Sequence, residues 1–313
     1  MATDSTLELG DLELELGGVI RSARLVYRTH GTLTKARDNA ILFEHMYSGT
    51  PASLDPWIGA GRVLYPDRWF IICPGQLGNG VCSSPSTAPG PFPELTVADD
   101  VILQHRLVRE GLGIERLELV LGFSMGAQQA YEWAVRFPGM VRRLAVFAGL
   151  ARTTPANDLL VRAWAEALAI GTVNHAHFWA ATGLSAELFR SEAWREAGFA
   201  SVADLVLRLF EDDFASLQPA DLLVQLAKLR RADVARQTGG DLPAALGRIT
   251  ARTEVAAFSN DGVFPVADCR AEQQLIRGSS FAVVDSSWGH YAWGITASET
   301  AEIERILAGV LAT

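Results

Sequence analysis

No apolar run in this chain of 313 residues approaches the length of about 18 that a membrane-spanning helix needs. The chain also lacks a basic face. Its net charge is −9 and its Lys and Arg residues nowhere cluster, which argues against nucleic acid or an anionic membrane as a partner. Cysteine is scarce: Cys73, Cys82 and Cys269 are an odd number with no C-x-x-C spacing, so neither a disulfide framework nor a zinc site is expected. The first ten residues are acidic, without the positive and apolar regions of a secretion signal, and a reducing cytoplasm is the default expectation. Internal repeats and low-complexity tracts are absent as well. What remains is 49% hydrophobic and 20% charged, a composition that buries a large core in one α/β domain, with or without an insertion.

The pattern along the chain is strand–helix alternation with one interruption. Residues 7–27 alternate apolar and polar around Gly17-Gly18, which predicts an antiparallel hairpin. Short apolar runs at 40–44, 69–73, 117–121, 141–147, 253–258 and 280–284 read as buried strands, and 97–110, 127–137, 266–276 and 299–311 as helices. Such alternation implies a mostly parallel, twisted sheet with helices on both faces. Between 152 and 240 strand-like runs vanish, and Ala, Leu, Trp and charged residues recur at helical spacing. The expected organisation is a core of residues 1–151 and 241–313 with a helical lid inserted at 152–240.

Chemistry concentrates at Gly122-Phe123-Ser124-Met125-Gly126, where a buried strand runs into a helix. A serine on so sharp a turn exposes its hydroxyl, and the two glycines remove side chains that would collide across it. Ser124 is therefore the candidate nucleophile. A serine hydroxyl needs a base, and the base needs an acid to orient it. On this kind of turn the chain order is Ser, then the acid, then His, each on a loop after a later strand. Asp261, in Ser259-Asn260-Asp261-Gly262, and His290, in Trp288-Gly289-His290, satisfy that order. Asp268 and Asp285 are alternative acids and His45 a rival base. The loop His45-Met46-Tyr47-Ser48-Gly49 follows a strand, so the backbone N–H of Tyr47 and that of Met125 form the expected oxyanion hole. Phe123, Trp288, Tyr291 and Trp293 suggest an aromatic-lined substrate pocket. His175 and His177, two residues apart, do not share a helix face, and no metal is expected.

Several motifs together resemble the homoserine O-acetyltransferase family of α/β-hydrolase-fold enzymes. They are Tyr27-Arg28-Thr29-His30-Gly31-Thr32-Leu33, Gly59-Ala60-Gly61-Arg62, residues 65–72, residues 122–134, Asp261-Gly262-Val263-Phe264-Pro265, and Asp285-Ser286 with Gly289-His290. The resemblance covers residues 20–152 and 252–312. It implies an acyl-serine intermediate, the triad Ser124, Asp261 and His290, acetyl-CoA as co-substrate if the enzyme is a transferase, and a homodimer through lid helices. Two departures bear on the substrate. Tyr291 stands where members that bind homoserine carry an acidic residue, and the lid shows no counterpart of their carboxylate-binding arginine motif. An amino acid would leave its charged ends unpaired in a desolvated pocket. The reading that results is hydrolysis of a small or aromatic ester with no cofactor. Acyl transfer to a hydroxyl acceptor other than homoserine is the alternative, and a slow-turnover ligand-binding protein is a third.

Overall fold

A computed structural model describes residues 2–88 and 90–312. Its centre is an eight-stranded sheet made of β1 (Thr3–Glu8), β2 (Arg24–His30), β3 (Ala40–Glu44), β4 (Phe70–Pro74), β5 (Leu119–Phe123), β6 (Arg143–Phe147), β7 (Arg252–Phe258) and β8 (Ser280–Val284). The spatial order is β1-β2-β4-β3-β5-β6-β7-β8. β1 and β2 run antiparallel to their neighbours, and every pair from β4 to β8 is parallel. β3, β4, β5 and β6 are buried along their whole length, as strands covered by helices on both faces must be. The expected N-terminal hairpin is present in two parts: β1 pairs with β2, and Leu12–Glu13 with Val19–Ile20 closes a small ribbon at the turn.

Helices α1 (Val97–Arg106) and α2 (Met125–Arg136) connect the central strands. The segment between β6 and β7 is mainly helical: α3 (Pro155–Ile170), α4 (Thr172–Gly183), α5 (Ala186–Ser191), α6 (Val202–Val206), α7 (Asp212–Ala215), α8 (Pro219–Arg231) and α9 (Leu242–Leu246). The inserted helices therefore continue past residue 240, because Asp241 caps α9 by accepting the Ala244 N–H at 2.9 Å. α10 (Val266–Gln273) and α11 (Ala297–Leu311) complete the core. Thr154 and Thr296 open α3 and α11 with reciprocal capping boxes. β5 extends two residues beyond the expected apolar run, through Gly122 and Phe123, so the turn to α2 begins directly where the ladder ends.

Candidate active site

The sequence Gly122-Phe123-Ser124-Met125-Gly126 forces its geometry. Ser124 has φ +56° and ψ −121°, a strained conformation for an L-residue, and sits between β5 and α2. A Cβ on Gly122 would lie 2.2 Å from the Gly126 carbonyl oxygen, and one on Gly126 would lie 2.4 Å from that of Glu44. Neither position has room for a side chain. Gly149 matters equally and carries no motif: a Cβ there would come within 2.7 Å of the Ser124 carbonyl oxygen. The Ser124 N–H donates to Phe147 O at 3.0 Å, which ties the turn to the end of β6.

The three side chains expected to meet do so. His290 Nε2 lies 2.8 Å from Ser124 Oγ, and His290 Nδ1 lies 2.8 Å from Asp261 Oδ2, across 166 and 29 residues of sequence. The Asp261 carboxylate cannot swing away, because its Oδ1 accepts the N–H groups of Val263 at 2.7 Å and Phe264 at 3.0 Å. His290 occupies a short turn after β8 whose Gly289 has φ +63°, with no space for a Cβ against Gly183 O at 2.6 Å. The alternative acids are elsewhere engaged or placed: Asp285 accepts the Ser259 hydroxyl at 2.8 Å, and Asp268 lies in the first turn of α10. The rival base His45 is wholly buried. It bonds Met46 O through Nδ1 at 2.9 Å, and burial lowers its pKa to about 4, so it stays neutral.

A cavity of about 400 Å³ opens over Ser124 and His290. Its walls include Trp57, Phe123, Trp179, Tyr291, Trp293 and Ile295. Trp288 is not among them. It is 1% exposed and packs against Phe199 with ring centroids 6.2 Å apart, because the turn that aims His290 inward directs its neighbour into the core. Trp179, from α4, was not singled out by sequence reasoning, because helical spacing alone reads it as core. It stacks on Tyr47 at 5.7 Å and lies 6.1 Å from the His290 ring. Arg62, Arg208 and Asp213 add charge to the lining. Arg208 supplies a lid arginine that no motif announced, but its guanidinium is 3.3 Å from Asp204 and stacks over Phe199.

Tyr47 lines the cavity, and Met125 begins α2 directly after Ser124. Among the described residues, neither backbone N–H donates to a protein acceptor, so both are available to an incoming oxygen. The Tyr47 hydroxyl is held by His175 Nε2 at 3.0 Å, while His175 Nδ1 contacts Trp164 O at 2.9 Å. Burial lowers the His175 pKa to about 4, so this imidazole is a neutral link between lid and loop. His177 pairs with Glu211 at 2.7 Å on the surface. No group of three or more His, Cys, Asp or Glu able to hold a metal ion occurs among the described residues, and no helix there is long and apolar enough to cross a membrane.

Comparison with known proteins gives a consistent picture. The sequence model of the alpha/beta hydrolase fold matches residues 39–293. An ethyl acetate hydrolase of Pseudomonas veronii is 39% identical, the match spanning 98% of this chain and 95% of that protein. The solved structure of an acetylester hydrolase from Corynebacterium glutamicum superposes with a TM-score of 0.97 at 38% identity, covering 99% of this chain and 96% of the other. A homoserine O-acetyltransferase of Thermobifida fusca is 30% identical over 89% of this chain and 86% of its own length.

Proposed function

Because the chain belongs to the alpha/beta hydrolase fold family, with both esterases and homoserine O-acetyltransferases among its relatives, we propose that it is a serine esterase for acetate and similarly small esters. The observation that carries this reading is the continuous chain Ser124–His290–Asp261, with both links at 2.8 Å, beneath a cavity walled by aromatic rings. Ser124 Oγ attacks the ester carbonyl and gives its proton to His290 Nε2. Asp261 accepts a hydrogen bond from Nδ1–H, which keeps the proton on Nδ1 and Nε2 basic, and its charge stabilises the imidazolium that forms. The N–H groups of Tyr47 and Met125 hold the oxyanion. His290 then protonates the departing alkoxide, and a water activated by the same imidazole releases the acid from the acyl-serine.

Hydrolysis is favoured over transfer to an amino acid by the walls themselves. Arg208 is engaged by Asp204 and Phe199, and Arg62 lies 3.7 Å from Glu304, so each guanidinium of the cavity wall already faces a carboxylate of the protein. No cofactor enters this scheme. Three buried free cysteines suit a reducing cytoplasm, and the apolar side chains exposed on α3 and α4, with Ile170 at 77% and Val173 at 51%, suit a homodimer through the lid. The test is to offer p-nitrophenyl acetate and, separately, acetyl-CoA with a panel of alcohols including homoserine. The ester should be cleaved and acetyl-CoA left intact, with Ser124→Ala losing at least about 10⁴-fold in kcat. A fluorophosphonate that fails to label Ser124 in the native protein would refute the reading.

A further inference from the structure

One face of α8 is polar and nevertheless buried. Asp221, Gln225 and Lys228 lie four and three residues apart, so they share a face, and none is more than 3% exposed. Buried polar groups require partners, and these three find theirs in the loops that leave β3 and β4 and in the first turn of α1. Lys228 Nζ donates to Leu77 O and to Asp100 Oδ2, each at 2.6 Å, and Asp221 accepts the Ser86 N–H at 3.0 Å. Gln225 bridges the two loops. Its Nε2 donates to Gly78 O at 3.4 Å, and its Oε1 accepts the Ser48 N–H at 3.1 Å across 177 residues of sequence.

Ser48 is the third residue of a turn closed by the Gly49 N–H donating to Met46 O at 3.1 Å, and its φ is +60°. A residue with a side chain keeps that conformation only where its surroundings impose it. Rotating the Tyr47–Ser48 peptide would release Ser48 from the left-handed region, but it would also turn the N–H away from Gln225. The bond from α8 therefore holds the turn that presents Tyr47. We propose that Gln225 is a positioning residue for the oxyanion hole: while His175 and Trp179 hold the Tyr47 side chain, this amide fixes the backbone turn that presents its N–H. The proposal rests on the serine-esterase reading above.

Gln225→Met preserves side-chain length and removes the acceptor. With p-nitrophenyl acetate, kcat should fall roughly tenfold or more while KM stays within about twofold, the signature of an interaction made in the transition state. Affinity for an aryl trifluoromethyl ketone, whose adduct with Ser124 carries the oxyanion, should fall by the same factor as kcat/KM. Adding Ser48→Gly should recover much of the loss, because glycine holds a positive φ unaided. An unchanged kcat, or a loss of kcat without a matching loss of ketone affinity, overturns the proposal. Hydrogen exchange of the native protein gives a readout independent of whether the variant folds: slow exchange at the Ser48 amide supports the bond, and fast exchange overturns it. A native protein that neither cleaves the ester nor takes the fluorophosphonate refutes the esterase reading and this inference with it. An active native protein with an indifferent Gln225 variant refutes the inference alone.

Discussion

At the scale of single residues, the site depends on which atoms are left free and which are committed. Asp261 has both carboxylate oxygens occupied, one by His290 and the other by two backbone N–H groups, so its orientation is set before substrate arrives. Asp261→Asn keeps the shape and changes the hydrogen-bonding sense: an amide nitrogen facing Nδ1 would stabilise the tautomer with its proton on Nε2, where it cannot accept the Ser124 proton. We expect kcat to fall about 10³- to 10⁴-fold at neutral pH with KM little altered, measured by steady-state hydrolysis of p-nitrophenyl acetate. A loss below tenfold would mean that Asp261 does not orient the base. Gly122 and Gly126 are legible in the sequence because a motif frames them. Gly149 is equally intolerant of a side chain but touches the turn only through the fold, so nothing near it in sequence announces its role.

At the scale of elements, the helices act as clamps on loops. The Glu272 carboxylate of α10 accepts the N–H groups of Ala151 at 2.6 Å and Arg152 at 3.1 Å, where the chain leaves β6 for the lid. Burial is the main cause that raises its pKa to about 7, well above the ordinary glutamate value. A folded-state pKa above the unfolded one means the folded state holds the proton more tightly. This contribution to stability is complete below pH of about 4.5 and is lost as pH rises through about 7. Urea unfolding at pH 5 and pH 8 should therefore show the native protein losing up to about 3 kcal/mol that the Glu272→Gln variant retains. Parallel pH dependence of the two proteins would remove Glu272 as the cause. The clamp residues on α8 and α10 escape a reading of the sequence because helical periodicity reports apolar faces, and a buried polar stripe reads as surface.

At the scale of the whole molecule, the helical segment between β6 and β7 has two faces with different surroundings. Its inner face supplies Trp179, Leu209 and Asp213 to the cavity. Its outer face leaves Leu159 70% and Ile170 77% exposed, an arrangement suited to a second copy. Sedimentation should show a dimer at micromolar concentration, and Ile170→Glu with Val173→Glu should give a monomer that still cleaves p-nitrophenyl acetate. A native protein that sediments as a monomer would discard the lid interface. The sequence alone determined the strand–helix alternation, the turn at Ser124, and the identity of Asp261 and His290 as its partners. Each of those follows from local rules: apolar periodicity, the steric demand of a tight turn, and loops placed at strand ends. Only the tertiary structure decided that Trp288 leaves the cavity and Trp179 enters it, that His45 is neutral and sealed, and that Gln225 reaches Ser48. Which way a side chain faces, and what it meets, depends on how α4 and α8 dock on the sheet. That docking is fixed by contacts between residues more than 100 positions apart, which no pattern along the chain encodes.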